Sequence, residues 1–76
     1  DNFYLSVDID LVDPGFAPGT VHAEPAGLSS RELLYFLQRL RFLKKEYFAD
    51  VVEVCPEIDK NTLTSRLAAR IIAELQ

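Results

Sequence analysis

The sequence predicts an α/β protein: a β-α-β-α unit whose two strands run parallel in one sheet. Three observations predict it. Residues 2–10 alternate apolar and polar side chains and end in acids, the pattern of a strand. A capped amphipathic helix follows after Ser29. A valine-rich run at residues 48–54, stopped by Pro56, then leads into a second helical stripe.

The first strand carries the most distinctive chemistry. Ser6-Val7-Asp8-Ile9-Asp10 places two carboxylates at i and i+2, flanked by Val7, Ile9 and Leu11. In an extended strand both project from the same face. Two close carboxylates repel each other, and a divalent cation bound by hard oxygen donors relieves that repulsion. The plainer alternative is that Asp8 and Asp10 accept backbone N–H groups in the following turn, for which Asp13-Pro14 is a common starter. Residues 13–27 hold all three glycines and three of the four prolines, so this stretch reads as a long irregular loop.

Ser29 and Glu32 form a capping-box signature. Leu33, Phe36, Leu37, Leu40 and Leu43 fall on one stripe, and the helix is expected to end near Glu46. Arg39, Arg41, Lys44 and Lys45 lie toward its C-terminal end, where cations complement the helix dipole. The second helix is expected to start at Asn61 or Thr62, with Leu63, Leu67, Ile71 and Leu75 inward. Parallel strands place their C-terminal ends on one edge, where open α/β sheets bind ligands. Glu53, between Val52 and Val54, therefore joins Asp8 and Asp10 at one acidic rim for a metal, a cationic substrate or both. Taken alone, Glu53 reads as an ordinary ion-paired residue and His22 as a surface residue.

Composition narrows the function classes. A formal net charge of −4 excludes the basic patches that favour nucleic acid or anionic membrane surfaces. No apolar run approaches the ~20 residues that span a bilayer. The chain has 76 residues and no Met, and its opening reads as the inside of a strand, so a piece of a longer protein is expected. The single Cys55 fits a reducing, cytoplasmic compartment, and without a neighbouring His it reads as an inert thiol. A calcium-binding EF-hand does not fit, because Asp13 and Gly19 stand where that loop needs Gly and Glu.

Together these residues resemble the ureohydrolase family of arginases and agmatinases. The family signature reads here as Ser6-Val7-Asp8-Ile9-Asp10, then Pro14, Pro18-Gly19 and Gly27, with every spacing met. Asp50-Val51-Val52-Glu53-Val54-Cys55-Pro56 is similar to the family's strand ending in Glu-Val-x-Pro. The resemblance implies the C-terminal part of a single domain with a three-layer α/β/α fold and a mainly parallel sheet. It further implies a binuclear manganese hydrolase, homo-oligomeric in its full-length form, that cleaves a guanidino substrate to urea and an amine. Asp8 would bridge two Mn²⁺ ions, Asp10 would ligate one, and Glu53 would hold the guanidinium.

Two departures from the family pattern matter. Where many relatives carry Gly-Thr-Gly-Thr-Pro-Glu-Pro-Gly-Gly, this chain reads Gly19-Thr20-Val21-His22-Ala23-Glu24-Pro25-Ala26-Gly27. His22 replaces a small hydroxyl residue close to the substrate and is expected to bind it. The Glu24-Pro25 pair and the wording around Glu53 look agmatinase-like, so agmatine is the expected substrate. Arginine or a guanidino acid is the alternative. The family's Gly-Gly-Asp-His and Asp-x-His-x-Asp segments, which supply the other metal ligands, are not in these 76 residues. Neither is a proton-shuttling His, a role that the position of His22 does not suit, so this segment alone is expected to be inactive. Competing classes are a receiver-type regulatory domain, which would want a Lys at a later strand end, and an inactive family member serving as a regulatory subunit.

Overall fold

In the computed structural model, which describes residues 2–76, a two-stranded parallel sheet carries two helices. Strand β1 spans Phe3–Asp8 and β2 spans Tyr47–Val52, in register from Phe3 opposite Tyr47 to Asp8 opposite Val52. Helix α1 covers Ser30–Leu40 and α2 covers Leu63–Leu75. The expected element order is present.

Period-two alternation sorts the strand residues. Val7 is buried among Leu33, Leu34, Leu37, Leu67 and Ile71, and Leu5 and Val51 pack against this core. The intervening Tyr4 and Phe48 are 66% and 78% exposed. The apolar run at residues 48–54 fits a buried parallel strand. Instead Phe48 is open, because the helices of this segment pack on one face of the sheet only. On the open face Asp50 accepts hydrogen bonds from the Tyr4 hydroxyl and, at 2.7 Å, from Ser6 Oγ. These bonds, the one from Tyr4 first, hold the Asp50 carboxyl below its usual pKa and tie the strands across their register.

The capping box is formed as the sequence indicates. Ser29 Oγ accepts the Glu32 N–H at 3.0 Å, and Glu32 Oε1 accepts the Ser29 N–H at 2.9 Å. The helix is shorter than expected. After Leu40 the chain tightens into a 3₁₀ turn at Arg41–Leu43, closed by Lys44 in the left-handed region, so helical period is lost before Leu43. Leu43 is consequently exposed; within α1 the buried stripe runs through Leu33, Leu34 and Leu37, which leaves the expected Phe36 on the exposed side.

Helix α2 starts after Thr62, but neither Asn61 nor Thr62 caps it by side chain. Asp59 does so instead, accepting the backbone N–H groups of Thr64 and Ser65, each at 3.0 Å. Partial burial pushes the Asp59 carboxyl up. The opposing bonds from the Ser65 and Thr64 backbones, the Thr64 hydroxyl and the Lys60 backbone outweigh this and bring it down to about 2.

Because the folded pKa lies below the ordinary value of 3.8, Asp59 contributes stability that is fully present above that value. The contribution is lost as pH falls through the folded pKa. Asp59→Ala in the full-length protein is expected to lower unfolding free energy by about 1–2 kcal/mol at neutral pH. The difference from the unsubstituted protein should shrink between about pH 4 and pH 2. Denaturant titrations at several pH values measure both effects.

Candidate active site

The parallel register sets the site. Asp8 ends β1 opposite Val52, and Glu53 follows Val52 directly, so both carboxylates leave the sheet at the same edge. Glu53 is exposed and its backbone lies at φ 72, a conformation L-residues other than Asn and Asp rarely hold.

Asp10 reaches the rim by a different route from the one the sequence suggests. The strand stops at Asp8, and Ile9–Leu11 form a 3₁₀ turn. Asp8 caps that turn, its Oδ1 accepting the Asp10 N–H at 3.1 Å. Ile9 and Val12 are fully buried and anchor the turn on both sides. The turn-capping alternative thus holds for Asp8, and strand alternation does not place Asp10. The two carboxylates nevertheless lie on the same turn. Hydrogen bonding to Asp8 raises the Asp10 pKa, followed by desolvation and the charges of Asp8 and Glu53, while the charge of His22 lowers it. Asp10 therefore senses Asp8, Glu53 and His22. Among the described residues, no group of three or more His, Cys, Asp or Glu side chains is arranged to hold a metal ion. Cys55 is half-buried, with its sulfur 3.8 Å from Glu57 Oε1, and has no His beside it.

The loop at residues 13–27 is fastened at both ends of this rim. Asp13 accepts the N–H groups of Gly15 at 2.8 Å and Ala26 at 2.9 Å, the Asp-Pro turn with a second, long-range bond. Asp13 N donates to Leu28 O at 2.7 Å and Leu28 N to Leu11 O at 2.9 Å. Backbone approach is so close there that a Cβ on Gly27 would lie 2.6 Å from Leu11 O. At the other end Gly19 N donates to Thr64 Oγ1 at 2.7 Å, and Gly19 O accepts the Cys55 N–H at 2.7 Å. A Cβ on Gly19 would sit 2.7 Å from Asp59 Cγ. Asp59 and Thr64 thus position the loop, a role the sequence reading did not give them. Their signal was an Asp three residues ahead of the expected cap. Thr20 is 2% exposed, and its hydroxyl has no hydrogen-bond partner among the described residues.

Part of the spacing from Ser6 to Gly27 now has a structural reason: Asp8 caps the turn, and Gly19 and Gly27 stand where close approach leaves no room for a side chain. The arginase family model matches residues 1–76. The chain belongs to the arginase family.

It is 54% identical over 72 residues to proclavaminate amidinohydrolase of Streptomyces clavuligerus, covering 95% of this chain and 23% of that protein. It is 40% identical over 75 residues to an agmatinase of Halalkalibacterium halodurans, covering 97% and 26%. The solved structure of an arginase from Bacillus caldovelox superposes with a TM-score of 0.92 at 32% identity, over 99% of this chain and 25% of that one. The chain thus spans about a quarter of the length of these relatives.

Ala26, beside Gly27, also sits in the left-handed region, at φ 69, which favours glycine. Ala26→Gly in the full-length protein is expected to raise unfolding free energy by about 0.5–1 kcal/mol, since relief of a left-handed Cβ exceeds the added chain entropy. A denaturant midpoint shifted the other way would show that the Ala26 backbone is not strained.

Proposed function

We propose that the full-length protein carrying this segment is a manganese-dependent hydrolase that cleaves a small guanidino compound to urea and an amine. The observation that carries this reading is the placement of Asp8, Asp10 and Glu53 at one edge of the sheet by the parallel register and the turn that Asp8 caps. Asp8 and Asp10 fit the ion: they are paired hard oxygen donors whose mutual repulsion a divalent cation relieves. Other ligands come from parts of the protein outside this segment. When bound, paired manganese ions supply Lewis acidity and a nucleophile active near neutral pH.

The residues of this segment do the holding. Asp8, pinned by its cap on the 3₁₀ turn, and Asp10, carried on that turn, present fixed oxygens. Glu53 accepts the paired N–H donors of a planar guanidinium, a charge-assisted and geometrically selective contact. The loop at residues 13–27 is fastened beside the rim through Asp13, Gly19 and Cys55. We place the protein in the cytoplasm as a homo-oligomer.

Agmatine was the substrate expected from the sequence wording. A guanidino acid is the reading we place first, favoured by the 54% identity to an amidinohydrolase named for an acid anion. Urea release from agmatine, arginine and 4-guanidinobutyrate by the purified full-length protein with Mn²⁺ tests the proposal. No release from any of the three would end it.

Two further outcomes separate the roles. Asp8→Ala and Asp10→Ala are expected to lose both bound manganese and turnover, whereas Glu53→Ala keeps its metal and loses at least about tenfold in kcat/KM. Elemental analysis beside steady-state kinetics decides, and loss of metal from the Glu53 variant would remove its assignment to substrate. The isolated 76-residue chain is expected to release no urea, because two carboxylates do not complete a two-metal site. A colorimetric urea assay with added Mn²⁺ checks this.

A further inference from the structure

The net charge of −4 is an average, and it hides one basic stretch. No Asp or Glu lies between Glu32 and Glu46, whereas Arg39, Arg41, Lys44 and Lys45 all do. The acidic balance therefore holds for the chain as a whole but not for this part of its surface. Helix α1 stops at Leu40, the Arg41–Leu43 turn tightens, and Lys44 at φ 53 leads the chain toward β2. That path gathers Tyr35, Gln38, Arg39, Arg41, Phe42 and Lys44 around one cleft of about 530 Å³. The cleft precedes β2, whereas Asp8 and Glu53 lie at the far ends of the strands. An occupant of the cleft leaves the acidic rim open.

Complementing the helix dipole accounts for Arg39 and Arg41 beside the end of α1, but not for the rest of the cleft. Lys44 stands beyond the helix, and two aromatic rings are open to solvent, Tyr35 at 60% and Phe42 at 71%. The Arg39 guanidinium lies over the Phe42 ring, 5.4 Å from its centroid, which holds cation and ring side by side. Among the described residues, none of Arg39, Arg41 and Lys44 has a carboxylate at ion-pair distance. Cations are not covered without acceptors, so whatever seats itself here brings acids. Arg, Tyr and Phe are also the side chains that protein interfaces favour. Length decides among anionic partners. A nucleic acid or a membrane surface extends past the cleft onto a chain that is acidic elsewhere, and is repelled there. A short acidic segment stays within it.

We propose that this cleft docks an acidic peptide segment of a partner protein, its carboxylates on Arg39, Arg41 and Lys44 and its apolar side chains against Tyr35 and Phe42. The inference does not depend on the hydrolase reading above.

The test uses the full-length protein and a short peptide of alternating Glu and Phe, with Kd measured by calorimetry. Arg39→Glu, Lys44→Glu and Phe42→Ala are each expected to weaken binding by about tenfold or more, the scale of a lost interface anchor. Lys60→Glu, the same charge reversal made away from the cleft, should shift Kd by less than about twofold. A peptide of alternating Glu and Ser should bind about tenfold more weakly than the Phe-bearing one, since it leaves both rings uncovered. No binding by the unsubstituted protein overturns the proposal, because the cleft is then filled by the protein's own chain. A Kd that Lys60→Glu shifts as far as the cleft variants do overturns it as well. Tighter binding of single-stranded DNA or phosphatidylserine vesicles than of the peptide, lost in the same cleft variants, assigns the patch to that partner and overturns the peptide reading.

Discussion

The carboxylate of Asp59 holds the functional edge of this segment together. It lies at the start of α2, accepts the Thr64 and Ser65 N–H groups, and fills the space that a side chain on Gly19 would need. One acceptor thereby starts a helix and seats a loop from the other end of the chain. Thr64 completes the joint: it is fully buried, and its hydroxyl takes the Gly19 N–H. Buried donors and acceptors that satisfy one another make such a joint rigid, since opening it leaves each group unpaired. The loop beside the acidic rim depends on it, and so does the position of His22.

The rim works against the folding energy. The charges of Asp8 and Glu53 disfavour ionised Asp10, and Glu53 takes a left-handed backbone besides. The surrounding structure tolerates this because the anchors beside it are strong. Val7, Ile9 and Val12 are buried on either side of the acidic positions, and the Val12–Leu28 bridge closes the loop behind them. Repulsive groups held by an apolar frame are pre-organised for a cation or a guanidinium, since the cost of gathering them is met on folding rather than on binding.

The same logic explains the outer face of the sheet. Both helices lie on one side, and the side bearing Tyr4, Ser6, Phe48 and Asp50 is held only by the hydrogen bonds to Asp50. For a segment spanning about a quarter of its relatives' length, this division is expected. Its own core builds one layer of helices and aligns the two strand ends, which suffices to set three acids at one edge.

Several features were determined by the sequence alone because their causes are local or periodic. The alternation around Val7 and the Ser29–Glu32 capping box depend on residues a few positions apart and appear as read; of the stripe on the second helix Leu67 and Ile71 are buried and Leu75 partly so, while Leu63, at the exposed first turn, is not. Parallel pairing followed from the strand-helix-strand order, and with it the shared edge for Asp8 and Glu53. Family membership was legible in the Asp, Pro and Gly spacing, because each of those residues answers a backbone demand. Tertiary structure decided the rest. Asp10 stands on a 3₁₀ turn rather than a strand because burial of Ile9 and Val12 bends the chain there. Leu34 took the place expected of Phe36 because packing turned the Leu33–Leu34–Leu37 side of α1 toward the core. Asp59 caps α2 through Thr64 and Ser65 nearby, but that the same carboxylate packs against Gly19, forty residues away in sequence, no local pattern could reveal, because those halves meet only when the chain has folded.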